Sequence, residues 1–309
     1  METTSARKSW LSLKTLAIIG LRIAAASPLG GSPNAVAVAG RAQAQARATT
    51  KWKPVIGDTW QIVLQNPIKV GKNGPTPDVK VWSIDLYDND AATFKALKAS
   101  GKKIICYFSA GSWENWRSDA SSFKAADYGN DLDGWDGEKW LDTRTANVRS
   151  IMKKRIAYAS QKGCDGIDPD NLDGYGNDSG FKLTKANGVD YIKFLSQVAA
   201  SYKLSIGLKN CVDIVKQVLP SVDFATVEQC AEYNECQGYA PFIKAGKPVF
   251  QIEYPDDPAS MSTNDFQSIC PGDRSSPNYG FTAVIKNMNL DGWVQYCGQS
   301  RTYTTSTSR

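Results

Sequence analysis

The segment Asp165-Gly-Ile-Asp-Pro-Asp-Asn-Leu-Asp173 carries four carboxylates in nine residues. Asp168 and Asp170 stand two residues apart, so on an extended chain their side chains share one side. A second acid, Glu228, closes the apolar run Phe224–Glu228. Two carboxylates bracketing a central space are what hydrolysis of a glycosidic bond needs: one protonates the leaving oxygen, the other attacks the anomeric carbon or activates water. A calcium loop is the rival reading of the Asp-rich segment, but the EF-hand spacing and its twelfth-position Glu are missing. The chain has no histidine. That excludes Ser-His-Asp and Cys-His nucleophilic sites and His-based zinc sites, and leaves acid–base work to Asp, Glu, Tyr, Lys or Cys.

These carboxylates need a scaffold that brings distant segments together. From Trp60 onward short apolar runs alternate with helical patterns. The candidate strands are Trp60–Gln65, Val81–Tyr87, Lys103–Ser109, Gly166–Asp170, Leu204–Lys209, Phe224–Glu228, Val249–Tyr254 and Thr282–Lys286. They are rich in β-branched and aromatic residues, as buried parallel strands are. Val148, Ile151, Met152, Ile156 and Ala159 mark one helix face before the stop at Gly163, and Val189, Ile192, Leu195, Val198 and Ala199 mark another. Eight strands alternating with helices predict an α/β fold, a single (β/α)₈ TIM barrel. The first connection, Asn66–Asp78, reads as a loop, and the long stretch from Ala110 to about Arg144 as a functional one.

In such a barrel the C-terminal strand ends form one face, where active sites lie. Asp85, Tyr107, Asp168, Asp170, Lys209, Glu228, Glu253 and Tyr254 all fall at or beside those ends, and Asp173 follows the fourth. Glu228 faces the Asp168/Asp170 strand end across the mouth, and of those two aspartates one is expected to be catalytic and the other to tune or orient. The aromatics at strand ends and in the following loops, among them Tyr107, Trp113, Trp116, Tyr233 and Tyr254, are candidates to stack on sugar rings, with about half of the set serving only packing. Asp170 and Glu228 issue from strands two steps apart, which suits the roughly 5–5.5 Å separation of a retaining pair. Lys209, on the strand between them, is expected to keep Asp170 ionised as nucleophile.

Six ordered motifs, Trp60-Gln-Ile-Val-Leu-Gln65, Ile84-Asp-Leu-Tyr-Asp88, Cys106-Tyr-Phe-Ser-Ala-Gly-Ser112, Asp165–Asp173, Gly207-Leu-Lys-Asn210 and Val227-Glu-Gln-Cys230, resemble glycoside hydrolase family 114, the endo-α-1,4-polygalactosaminidases. The resemblance runs from about Lys51 to Gly298. It implies a barrel, endo-cleavage of α-1,4-linked galactosamine-containing polysaccharide, and Asp170 and Glu228 as its catalytic residues. Deacetylated galactosamine is cationic, and Asp85, Asp168, Asp173 and Glu253 would help to supply an acidic, aromatic-lined groove for it. No cofactor and no metal are expected. Two other readings are a non-catalytic glycan-binding barrel and a metal-dependent hydrolase or lyase on the Asp-rich strand end.

Residues 1–50 are of another kind. Arg7, Lys8 and Lys14 precede the apolar run Thr15–Leu21, and an Ala/Gly/Gln/Arg-rich stretch follows. They predict a secretory signal plus linker, or a signal-anchor, which is the only route to a membrane. The rest divides into a catalytic domain over 51–300 and a flexible tail over 301–309. The expected protein is a secreted monomer. Its net charge of +5 shows no basic stripe of the kind nucleic acid requires. Among seven cysteines, Cys230–Cys236 and Cys270–Cys297 have loop-like spacings and are the candidate disulfides.

Overall fold

The computed structural model describes residues 50–298 and 301–308. The leader expected over 1–50 lies outside them, save Thr50. All eight expected strands form: β1 (Trp60–Val63), β2 (Val81–Asp85), β3 (Lys103–Ser109), β7 (Gly166–Asp170), β8 (Ser205–Lys209), β9 (Phe224–Glu228), β10 (Val249–Glu253) and β11 (Thr282–Ile285). Each is parallel to the next, in this order around a curled sheet. Their residues are buried almost without interruption, because the sheet is covered on both faces. Trp60, Phe224 and Phe250 pack ring to ring in the core, with centroids 4.9 and 5.7 Å apart.

Helices α1 (Ala91–Ala99), α2 (Ala146–Lys162), α3 (Lys185–Ser201), α4 (Val215–Val218), α5 (Ala240–Lys244) and α6 (Thr263–Ile269) connect β2 to β11. Their ends follow local chemistry. Asp90 caps α1 through the Thr93 amide, Thr145 caps α2 through Val148, and Thr184 with Asn187 forms a capping box on α3. Gly163 ends α2 at φ 94°, a left-handed conformation that glycine adopts without Cβ strain. The β1–β2 connection holds no helix, in line with its Gly, Pro and Lys content.

Two features depart from the simple alternation. The segment after β3 builds its own three-stranded antiparallel sheet from β4 (Ser112–Glu114), β5 (Tyr128–Asp131) and β6 (Glu138–Leu141). At the other end, β12 (Trp293–Tyr296) pairs antiparallel with β11, and β13 (Thr302–Thr304) antiparallel with β12, which extends the barrel sheet. Within the region expected to be a flexible tail, 301–309, the described residues 301–308 carry β13 and further pairings. Thr305 is buried and accepts from Gln61 Nε2 at 3.1 Å, and Thr307 bridges to Ile68. The physical reason is unpaired backbone: the open edge of β12 and the helix-free 64–80 loop both need partners, and the last residues supply them.

β11, the loop after it and β12 also join the end of the sheet to β1. Trp60 Nε1 donates to Thr282 O at 3.0 Å, Tyr296 Oη to Trp60 O at 2.9 Å, and the Leu64 amide to Leu290 O at 2.9 Å. Disulfides Cys230–Cys236 and Cys270–Cys297 are present as expected. Cys106–Cys164, which joins β3 to the residues before β7, was not anticipated. Among the described residues Cys211 is the free cysteine, and it is buried. No helix among the described residues is long and apolar enough to cross a membrane.

Candidate active site

Asp170, Lys209 and Glu228 are the last residues of β7, β8 and β9, three neighbouring strands. The Lys209 ammonium, 2% exposed, lies 3.5 Å from Asp170 Oδ2 and 3.3 Å from Glu228 Oε2. Both carboxylates thus share one cation, and these two distances hold the paired oxygens within roughly 7 Å of each other. Tyr107 Oη donates to Asp170 Oδ2 at 3.0 Å, and Tyr254 Oη donates to Glu228 Oε1 at 2.6 Å. Asn210 grips Glu228 twice: Nδ2 donates to Oε2 at 3.1 Å, and Oδ1 accepts from the Glu228 amide at 2.9 Å. Burial and the Asp170 charge hold the Tyr107 phenol well above the usual range, so it stays a donor.

The backbone turns sharply just beyond each of these side chains. Asn171, Asn210 and Gln229 have φ of 60°, 52° and 55°. Such left-handed residues cost free energy that the surrounding contacts must offset. At β7 the clamp is visible. The Asp170 carbonyl accepts from the Ala110 and Gly111 amides, both at 3.0 Å. A Cβ on Gly111 would stand 1.6 Å from the Asn171 carbonyl oxygen, so only glycine permits this approach.

Asp168 lies beneath the pair, 0% exposed. Thr226 offers it a side-chain contact, but neither carboxyl oxygen forms a well-aligned hydrogen bond. Burial first, then repulsion by Asp170 and Glu228, pushes its pKa up to about 7 against the pull of Lys209. Asp173 follows on the β7 turn, near enough to Cys211 that its charge helps to raise that thiol's pKa. Two expected residues are not brought to the pair. Asp85 is buried in a two-pronged contact with Arg117, at 3.1 and 2.7 Å, and caps the turn after β2 through the Tyr87 and Asp88 amides. Glu253 Oε1 accepts from the Ala231 amide and Gln251 Nε2, which ties down the loop after Glu228. Trp82 and Tyr239 are core residues, and Trp113 stacks on Tyr128.

The structure adds residues the sequence reading passed over. Asn171 Nδ2 donates to Ser109 Oγ and Ser112 Oγ at 2.9 and 3.2 Å, and Ser112 Oγ donates to Glu138 Oε2 at 2.5 Å. Asp170 is thereby linked, through the Asn171 amide at 2.8 Å, to a buried acid on β6. Burial, then repulsion by Glu114 and Asp170, pushes the Glu138 pKa up to about 8. Asn210 stood in a quoted motif without a role. Glu138 gave no signal, because a separate sheet delivers it.

Cys230, Cys236 and Glu253 lie close enough to hold a metal among the described residues, but the two sulfurs are bonded to each other. Between Asp170 and Glu228 an ammonium already holds the position a cation would need, and would repel one. A parallel barrel whose strand ends carry two hydrogen-bonded carboxylates sharing one lysine has the groups that a glycoside hydrolase uses. The chain belongs to glycoside hydrolase family GH114, whose family model matches residues 41–302. It is 46% identical to Ega3 of Aspergillus fumigatus, solved as a complex with galactosamine. That match covers 82% of this chain and all of that one, with a TM-score of 0.75. The glycoside hydrolase domain of PelA from Pseudomonas aeruginosa is 13% identical, covers 75% of this chain and 95% of its own, and shares the fold at a TM-score of 0.53. A comparison with curated proteins finds no match.

Proposed function

We propose that this glycosidase is secreted, acts as a monomer, and cleaves α-1,4-linked galactosamine-containing polysaccharide internally, with retention. The observation that carries the mechanism is the Lys209 ammonium held between Asp170 and Glu228 at 3.5 and 3.3 Å. The substrate is supported by the galactosamine bound in the crystal structure of Ega3 and by the identity to it.

In the first step the Glu228 carboxyl protonates the glycosidic oxygen while Asp170 Oδ attacks the anomeric carbon. The C–O bond to the leaving chain breaks, and a glycosyl ester forms on Asp170. Tyr107 and the Asn171 amide orient the attacking carboxylate; Tyr254 and Asn210 orient Glu228. Having given up its proton, Glu228 is left as a carboxylate beside the Lys209 ammonium. Glu228 then takes a proton from water, the water oxygen attacks the anomeric carbon, and the ester bond breaks. Two displacements leave the α-anomer.

Digestion of purified galactosamine polymer, with products read by mass spectrometry and proton NMR, tests this. Cleavage into oligomers with the α-anomer formed first is expected. Asp170→Asn and Glu228→Gln should each lose at least about a hundredfold in kcat. A β-anomer appearing first overturns retention, and EDTA inhibition reversed by a divalent cation would replace the mechanism by a metal-dependent one.

A further inference from the structure

The sheet inserted after β3 carries four tryptophans, and they divide cleanly. Trp113 stacks on Tyr128 with centroids 4.8 Å apart, and Trp140 is buried. Trp116 and Trp135 are left 51% and 49% exposed. Indole is a large apolar surface that folding normally covers. These two occupy neighbouring turns at one end of the sheet. Glu114 pairs with Glu138 across β4 and β6, and just beyond that pair the Asn115 amide donates to Gly137 O at 3.1 Å. Each turn is held from below. Arg117 N donates to Glu114 O at 3.2 Å, Trp135 N to Leu132 O at 3.0 Å, and Glu138 N to Trp135 O at 3.1 Å. Exposed Asp133 and Asp136 flank Trp135. The buried residues next to these turns lead to the catalytic pair, since Glu138 reaches Asp170 through Ser112 and Asn171.

We propose that Trp116 and Trp135, with Asp133 and Asp136, form an outer subsite that holds the galactosamine polymer beyond the cleavage point. This rests on the substrate class proposed above. Hydrogens on the flat face of a sugar ring stack on indole, and an ammonium substituent is attracted both to the ring face and to the flanking carboxylates. Fixed platforms on tight turns lose little freedom on binding, and this favours a long chain over a short one. The charge chooses the occupant: an apolar protein surface would not be met by two exposed aspartates, whereas a polycationic glycan would.

The test uses the full chain carrying Asp170→Asn, which stops turnover. Galactosamine polymer is titrated in while tryptophan emission and Kd are read. Binding should shift the emission to the blue. Trp116→Ala and Trp135→Ala on that background should each weaken polymer binding by about tenfold, and Asp133→Asn with Asp136→Asn should remove the preference for free-amine over fully N-acetylated polymer. Alanine variants that bind as tightly as their parent overturn the subsite, while polymer cleavage by the wild type would leave the reaction assigned. A wild type that neither binds nor cleaves the polymer overturns both readings. Should an alanine variant lose its native circular dichroism, Trp116→Phe and Trp135→Phe carry the test: weakening of about two- to threefold is expected, and unchanged affinity overturns the proposal.

Discussion

Lys209 couples the two catalytic candidates, because each balances its charge against the same ammonium. Lys209→Met keeps the bulk and removes the charge. It should lower kcat by about a hundredfold or more, as loss of a preorganised charge does at a reacting centre. Steady-state release of reducing ends checks this, and turnover within about threefold of wild type would falsify the coupling. Asp168 and Glu138 act on stability instead. Their pKa values stand at about 7 and about 8 in the folded chain, above the unfolded values near 4. The folded state therefore binds more protons across that interval. The stabilisation is fully present below about pH 4 and is lost as pH rises through about 7 for Asp168 and about 8 for Glu138. For Glu138 the loss is on the order of 5 kcal/mol. Urea unfolding should give a lower ΔG at pH 8.5 than at pH 5.5, and Glu138→Gln should flatten the difference. An unchanged slope in that variant assigns the proton uptake elsewhere.

The inserted sheet is the element that distinguishes this barrel mouth, and buried charges hold it in place. Arg117 binds Asp85 of β2 and Glu114 of β4, while Arg155 of α2 binds Asp119 and the Ser109 carbonyl. The Tyr87 ring lies against both guanidinium groups, 4.9 and 5.7 Å from their central carbons. Such a group is costly to break from one side, since the partner charge stays buried and unpaired. Arg117→Met should destabilise the protein by about 3–5 kcal/mol and open the 112–141 segment first. Hydrogen exchange would show early loss of protection there. Uniform loss across the barrel would instead mean that the insert and the barrel unfold as one unit.

For the whole molecule, the final residues close what the eight strands leave open. Truncation after Gln299 removes β13, the Thr305 contact to Gln61 and the Thr307 bridge to Ile68. Losing several hydrogen bonds of about 1 kcal/mol each should lower Tm by about 5–10 °C. Differential scanning calorimetry reads this, and an unshifted Tm would restore the reading of these residues as a free tail. The consequence reaches the buried interior, because Gln61 also accepts from Lys286, which in turn donates to Asp291 O.

The sequence alone determined the eight parallel strands, the principal helices, and the strand ends that carry Asp170, Lys209 and Glu228. Strand and helix periodicity are local, and parallel strands in a barrel must end on one face, so chain position was enough. It also marked Tyr107 and Tyr254, since aromatic residues at those ends have few other places to go. The tertiary structure decided which acids gather around Lys209. Asp85 and Glu253 looked like Asp170 in sequence, but Arg117 and the Ala231 amide occupy them, and those partners lie 32 and 22 residues away. It likewise decided that Glu138 belongs beside Asp170, that Cys106 pairs with Cys164, and that residues 302–308 are ordered. Each depends on a contact between segments whose separation no local pattern encodes, and is fixed only when burial forces polar groups to find partners.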